Sequence, residues 1–338
     1  MDDYLGSVDT VSEAAKLAAE IVFIHSKACL EMRSWVSNRP EALSNLPPDL
    51  CAPNAASKSV RVLGVTWDFN ADTLSFSRSS MGDLPTKLTK RSTLAYLMKI
   101  FDPLGLLTPI IVKGRVIFQK TWKMGVDWDQ ELPASLILEW KAWFAELSKL
   151  KLGSIPRHYL DGRHAESGEL HVFGDASEIA YACVAYWRFN CSDGGVTISL
   201  IGGKARVAPV KLVSIPRLEL QAALMVARFA SYIVEAHRHK PSKLFLWSDS
   251  LTVLKWIRSD ARNFRPFVAH RVGEITEITN VSDWRYVPTA LNVADDATRI
   301  GKQFETSSRW FSGPSFLYLP EAEWPKEPIK QQPRPPRK

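Results

Sequence analysis

The sequence predicts an α/β protein whose main domain is a mixed five-stranded sheet with helices, and three observations carry that prediction. From about residue 165, short apolar runs recur at strand length, three in succession and then alternating with helical segments. Between 88 and 150 the apolar spacing is helical, with Leu94, Leu97, Met98 and Phe101 at i, i+3, i+4 and i+7. The 338 residues exceed one ordinary core, so two or three domains are expected.

Taken in order, residues 11 to 36 read as an amphipathic helix, with Ala15, Ala18, Ala19 and Val22 on one face and Ser12 as its cap. Pro40 to Ser59, with Pro47-Pro48 inside it, is a loop, and Val60 to Val65 and Thr73 to Ser77 follow as two strands of a small sheet. Asp102-Pro103-Leu104-Gly105 stops the helix that carries Leu94. Helices over 110 to 124 and 134 to 150 bring Trp122, Trp140 and Trp143, the last two expected as core or interface. Leu170 to Gly174, Tyr181 to Phe189, Val196 to Ile201, Lys243 to Trp247 and Trp284 to Val287 are the five strands. Helices are expected near 216 to 237, 250 to 258, 264 to 279 and 293 to 300. The divisions are thus 1–87, 88–160, 165–302 and a Pro-rich tail or linker at 303–338, whose prolines favour an extended chain.

Composition narrows the function classes. Hydrophobic residues at 46% and charged residues at 23% suit a globular chain, and no apolar run of about 18 residues could cross a bilayer, so no membrane partner is expected. Asp2 and Asp3 open the chain without the basic flank of a signal peptide, which makes a cytoplasmic or nuclear setting the expectation. Cys29, Cys51, Cys183 and Cys191 form no Cys-x-x-Cys pair and read as reduced core thiols. A formal charge of +7 suits a polyanionic partner.

Four acids stand where chemistry is expected. Asp175 closes the run Leu170-His171-Val172-Phe173-Gly174, and Asp249 follows Leu244-Phe245-Leu246-Trp247, so both lie at carboxyl ends of buried strands, where open α/β sheets bind ligands. Glu219 sits in the first turns of the helix that starts near Pro216, and Asp295 begins the last helix. Clustered carboxylates raise one another's pKa and lose hydration together, a cost that divalent cations remove. Two Mg²⁺ ions, or Mn²⁺, on such oxygens suit in-line displacement at phosphorus, so the chemistry implied is phosphodiester hydrolysis. A single Asp after a strand is ordinarily a turn residue or a cap; the order of all four outweighs that reading.

Phe173-Gly174-Asp175-Ala176-Ser177, Pro216-Arg217-Leu218-Glu219-Leu220, Trp247-Ser248-Asp249-Ser250 and Asn292-Val293-Ala294-Asp295-Asp296-Ala297-Thr298-Arg299 together resemble the four acidic motifs of a retroelement ribonuclease H. Across nearly its whole length the chain resembles the Pol polyprotein of Bel/Pao-type LTR retrotransposons. The resemblance implies a ribonuclease H-like fold at 165–302 and Asp175, Glu219, Asp249 and Asp295 as catalytic metal ligands, with Asp296 the lesser candidate. Its implied substrate is the RNA strand of an RNA/DNA hybrid, and its implied partners are other domains of the polyprotein. One departure is the loop Pro288-Thr289-Ala290-Leu291, which lacks the histidine of many family members; His270 reads as a surface residue.

Met1-Asp2-Asp3-Tyr4-Leu5-Gly6 resembles the family's Tyr-x-Asp-Asp turn, cut after its first residue. By that resemblance 1–87 is a remnant reverse-transcriptase palm, with Trp35-Val36-Ser37-Asn38 and Leu63-Gly64-Val65-Thr66-Trp67 inside it, and 88–160 a helical thumb and connection. Asp2 and Asp3 would be remnant polymerase carboxylates without their third partner or the nucleotide-holding fingers, so no polymerase activity is expected. The family region also carries a peptidase label, but neither Asp-Thr-Gly nor Asp-Ser-Gly occurs, and aspartic proteolysis is not expected. Lys204, Arg206, Lys211 and Arg217 are expected to flank the entrance to the acids and to neutralise hybrid phosphates; a solvated charged face is the plainer reading. Hybrids are recognised largely by shape and 2′-hydroxyls, so no base-reading motif is required. The rival function is a non-catalytic or domesticated nucleic-acid-binding remnant.

Overall fold

The computed structural model describes the chain except for residues 1–3, 53–58, 63, 77–81, 83, 150–154, 161, 166, 300–303, 305–307 and 329–338. It divides into two compact units, one of residues 1–77 and 154–158, the other of 78–153 and 159–338. The four divisions expected from the sequence do not coincide with these two.

The first unit begins with α1 (Val11–Lys27), shorter than the expected 11 to 36. Thr10, not Ser12, caps it: the Thr10 hydroxyl accepts from the Glu13 amide while the Glu13 carboxylate accepts from the Thr10 amide. Cys29, with a positive φ of 55°, turns the chain away two residues past the helix. The expected strand from Val60 to Val65 is instead the hairpin of β1 (Ser59–Val62) and β2 (Val65–Asp68), because Gly64 takes a φ of 80° that turns the chain. With β3 (Thr73–Ser75) and β4 (Ile155–Pro156) they form an antiparallel sheet in the order β1-β2-β3-β4. Arg157 forks onto both oxygens of Asp72 at 2.6 and 2.8 Å, and so fixes the chain after β4 to the turn before β3.

The second unit is built on the five-stranded sheet β7-β6-β5-β8-β9, formed by β5 (Gly168–Ala176), β6 (Ala180–Asn190), β7 (Val196–Val207), β8 (Lys243–Ser248) and β9 (Trp284–Tyr286). The first three strands are an antiparallel meander, whereas β8 and β9 run parallel to β5. The switch of direction follows the connections: short turns join β5 to β6 and β6 to β7, while helices separate the rest. These helices are α5 (Ile215–Ala236), α6 (Leu251–Ile257) and α7 (Pro266–Ile278). Alternate residues of β5 and β6, Leu170, Val172, Cys183, Ala185 and Trp187, form the core with Leu220, Ala223, Leu224 and Ala227 of α5. Gly174 permits this approach, since a Cβ there would meet Val226 of α5.

Helices α2 (Lys90–Lys99), α3 (Thr108–Lys123) and α4 (Ala134–Lys149) precede the sheet. Trp140 and Trp143 are buried, and the Trp143 indole donates to the Ile110 carbonyl at 2.8 Å. The turn before α3 lies against β7, where the Gly203 amide donates to the Leu104 carbonyl at 3.0 Å. Gly105, with a φ of 73°, makes that turn possible, because a Cβ there would strike the Gly203 carbonyl.

Three expectations from the sequence fail. The last acidic segment is a 3-10 turn over Val293–Ala297 and no α-helix, its amides bonding three residues back, as Thr298 does to Asp295. The Pro-rich stretch is no linker as far as residue 328: α8 (Arg309–Ser312) and the turns after it bury Trp310, Phe316, Leu317 and Trp324. Phe316 and Trp324 contact the rings of Phe173, Phe245 and Trp247, and Trp324 meets His171, so this segment covers the sheet face opposite α5. Its prolines only punctuate; the aromatics between them supply the apolar area that makes docking favourable. Residues beyond 328 lie outside the described ones. The cysteines are free thiols, but Cys29 is exposed and only Cys183 and Cys191 are buried. No helix of the described residues is long and apolar enough to cross a membrane.

Candidate nuclease site

Asp175 is the penultimate residue of β5, and Asp249 follows β8, its parallel neighbour, whose Ser248 pairs with Gly174. The two acids therefore leave adjacent strands at one end of the sheet. Asp175 is buried, and burial raises its pKa to about 7, helped by the negative charges of Asp249 and Asp295 and opposed by a hydrogen bond from the Thr298 hydroxyl. A carboxyl so placed takes its proton near neutrality unless a cation offsets the neighbouring charges.

Glu219, in the first turn and a half of α5, accepts from the Ser250 hydroxyl at 2.7 Å. Ser250 also caps α6 by accepting from the Val253 amide at 3.2 Å, so the serine beside Asp249 orients Glu219. Burial raises the Glu219 pKa, Asp249 adds to the rise, and the Ser250 bond opposes it. Asp249 accepts from the Thr289 hydroxyl at 2.7 Å, and Thr289 belongs to the loop without a histidine.

Asp295 is held differently. Its carboxylate meets Arg299 at 2.5 Å and Arg309 at 4.0 Å, and it is almost entirely buried. Asn292 sets its turn in place: the side-chain amide donates to the Gly174 carbonyl at 2.9 Å, and the amide oxygen accepts from the Ala294 amide at 3.2 Å. Arg309 of α8 also bonds Asp296, at 2.9 Å in its shortest contact, and reaches the carbonyls of Ala290 and Asn292. Asp296 is thus a structural ion-pair partner of Arg309.

The four acids interact in a chain: Asp175 feels Asp249 and Asp295, and Glu219 feels Asp249. Among the described residues, however, no three acidic, histidine or cysteine side chains are gathered closely enough to hold a metal ion as they stand. Asp175, Glu219 and Asp249, with the hydroxyls bonded to them, offer oxygen donors of the kind a hard divalent cation takes, whereas the Asp295 carboxylate is engaged by Arg299. Sequence reading did not single out Ser250, Thr289, Thr298, Arg299 or Arg309. Ser250, Thr298 and Arg299 stood inside the quoted motifs, whereas nothing in the chain pointed to Arg309, which arrives from beyond the expected domain.

The four basic residues stand on β7, on the loop after it and in the first turn of α5. Gly174 pairs with Cys183 and Cys183 with Lys204, so Lys204 lies on the α5 face of the sheet, and its ammonium sits over Phe229 and Tyr232 at 4.7 and 5.0 Å. Arg206, two residues on, lines the same side cavity as Lys204. Lys211 is exposed on the loop after β7, and Arg217, two residues before Glu219, lies 5.0 Å over the Phe267 ring. Asp2 and Asp3 lie outside the described residues, and His270 is exposed.

Residues 89–250 match the family model of the Pao retrotransposon-like RNaseH-like domain. A search of curated proteins returns no match. Among solved structures, the chain is similar to the N-terminal RNase H domain of a Mycobacterium tuberculosis protein fused to maltose binding protein, at 12% identity and a TM-score of 0.28, covering 39% of this chain and 94% of that one. It is similar to a foamy viral protease-reverse transcriptase dRH in complex with double-stranded DNA, at 12% identity and a TM-score of 0.42, over 83% of this chain and 44% of that one. RNase H1 of the halophilic archaeon Halobacterium salinarum aligns at 15% identity and a TM-score of 0.24, over 37% and 88%. The family match runs from the start of α2 through Asp175, Glu219 and Asp249, and the mixed sheet with its helices is an RNase H-like fold.

Proposed function

We propose that the chain hydrolyses the RNA strand of RNA/DNA hybrids with divalent cations, as a segment of a Bel/Pao-type retrotransposon Pol polyprotein that acts in the cytoplasm or nucleus. The observation that carries this reading is the buried Asp175 carboxyl, raised to about 7 by burial and by Asp249 and Asp295. A buried carboxyl so perturbed, at the end of a strand beside two other acids, is the mark of a functional site, and a cation would offset its neighbours' charges. Asp175, Glu219, Asp249 and Asp295 would hold two Mg²⁺ ions, with Mn²⁺ able to substitute. When bound, these ions would supply a water of lowered pKa and stabilise the leaving oxygen. Ser250, Thr289 and Thr298 orient the carboxylates by donating to them, and the basic side chains neutralise phosphates. The remnant palm and the thumb with connection belong to this same reading, for residues 1–87 and 88–160.

A second reading is a nucleic-acid-binding remnant without turnover, and one observation favours it: Asp295 already has Arg299 and Arg309 as counter-ions. Incubation of the purified chain with a labelled RNA/DNA hybrid separates the two. Cleavage of the RNA strand in Mg²⁺ that chelator abolishes is the expected result. Binding of the hybrid with no cleavage in either Mg²⁺ or Mn²⁺ would overturn catalysis and leave the second reading.

A further inference from the structure

The turn that carries Asp295, and the loop before it, are held from outside by one side chain. Arg309 of α8 lies beyond every acidic motif and beyond the stretch that matches the family model. Its guanidinium forks onto Asp296, with Nη2 at 2.9 Å from Oδ1 and Nε at 3.1 Å from Oδ2. Nη1 donates to the Ala290 carbonyl, and Nη2 also donates to the Asn292 carbonyl at 3.1 Å. A planar guanidinium with donors in fixed directions can join three such acceptors at once, whereas a lysine ammonium is a point charge on a flexible stem.

The helix that presents Arg309 is itself anchored. Ser308 caps it by accepting from the Trp310 amide at 3.2 Å, and the Tyr186 hydroxyl of β6 donates to the Trp310 carbonyl at 2.7 Å. The buried Trp310 indole donates to the Leu106 carbonyl at 3.0 Å. The guanidinium thus extends from a backbone tied to β6 and to the turn before α3, while Asn292 ties the same acidic turn to Gly174 of β5. Arg299 cannot supply this restraint, because it is exposed and stands four residues from Asp295 on the segment that has to be held.

What Arg309 holds bears on two acids. Ala290 follows Thr289, whose hydroxyl donates to Asp249 at 2.7 Å, and Asn292 and Asp296 lie on either side of Asp295. We propose that Arg309 is a positioning residue of the nuclease site, fixing both the loop that brings Thr289 to Asp249 and the turn that presents Asp295. The inference rests on the nuclease reading above, and it makes α8 part of the catalytic domain although no acidic motif includes it.

The test compares wild type, Arg309→Gln and Arg309→Lys, each checked for folding by far-UV circular dichroism, in two measurements. Amide hydrogen exchange in chelator reads the loop and turn directly: exchange over 290–299 is expected to be about tenfold faster in Arg309→Gln and unchanged along β5 and β6. Cleavage of a labelled RNA/DNA hybrid in Mg²⁺ reads the consequence: kcat is expected to fall roughly ten- to a hundredfold, with KM for the hybrid within about threefold of wild type. Arg309→Lys should recover part of both, and if Arg309→Gln does not fold, Arg309→Lys carries the test with the same two changes in smaller degree. Exchange over 290–299 at the wild-type rate in a folded variant overturns the proposal. So does a raised KM with kcat untouched, which would make Arg309 a substrate contact. Failure of the nuclease reading looks different: wild type then cleaves no hybrid, and the exchange measurement still decides whether Arg309 fixes the turn.

Discussion

Two regions at the same end of the sheet solve opposite electrostatic problems. At the acid edge, β5, β8, α5 and the turn at 293–297 bring like charges together, and the pKa of Asp175 rises to about 7. At the β7 edge the like charges are cationic, and aromatic rings, the Glu274 carboxylate paired with Arg228 and a backbone carbonyl absorb part of their field. The difference teaches which charges await a partner. A carboxyl whose proton affinity is raised calls for a cation, whereas a cation seated on rings already has part of its charge balanced.

One short helix serves both regions. Arg309 of α8 ties down the turn that carries Asp295, and the next residue, Trp310, lies against Gly203 of β7 and donates its indole N–H to the Leu106 carbonyl at 3.0 Å. A change at 309 should therefore touch the acids and a change at 310 the packing against β7.

The largest expected effect is at the acids. Asp175→Asn removes the charge shared among the carboxylates, and cleavage of a hybrid should fall by about a thousandfold or more, because units of this kind fail together. Hybrid affinity at one stated salt concentration should change far less, if the basic residues make the phosphate contacts proposed for them. A variant that cleaves like wild type would remove Asp175 from the site.

Next comes Trp310→Ala. The indole is fully buried, and its loss should cost about 3–5 kcal/mol in denaturant unfolding. A loss under about 1 kcal/mol would mean that α8 is only loosely docked.

A pH series sharpens the comparison further. The Asp175 carboxyl is raised in the folded chain, so the folded state holds its proton longer, and stability that is present below the ordinary carboxylate range is lost as pH rises through about 7. In chelator, Asp175→Asn should thus be more thermostable than wild type at pH well above 7 and equal to it near pH 3, where both side chains are neutral. Equal melting at all pH values would show that the carboxyl is not raised.

The smallest effect is expected at Thr289→Val, which removes the hydroxyl on Asp249 while keeping the shape. A hydrogen bond to a charged group is worth about 1.5–3 kcal/mol, so cleavage should fall by roughly ten- to a hundredfold in kcat with KM for the hybrid little changed. An effect on KM alone would assign Thr289 to substrate contact.

The sheet was legible because both of its faces are covered, which leaves β5, β6 and β8 as mostly apolar runs between turn residues. The carboxyl ends of those runs placed Asp175 and Asp249, and Pro216 at the helix start placed Glu219. The 3-10 turn of Asp295 was read as a helix, because local pattern cannot show that Asn292 is pinned to Gly174 from across the sheet. Nor could it show that the Pro-rich stretch docks: prolines signal an extended backbone whether or not aromatics beside them find a surface.

What the sequence by itself determined is therefore the order of elements from β5 to β9, the buried strands and the strand-end and helix-start positions of three acids. These depend on periodicity and on turn chemistry within a few residues. The tertiary structure alone decided which side chains finish each region. Thr289 reaches Asp249 across 40 residues, Thr298 reaches Asp175 across 123, and Arg115 meets the Ala205 carbonyl across 90. Side-chain bonds of that span form only once the core has fixed both backbones, so no local pattern in the chain can announce them.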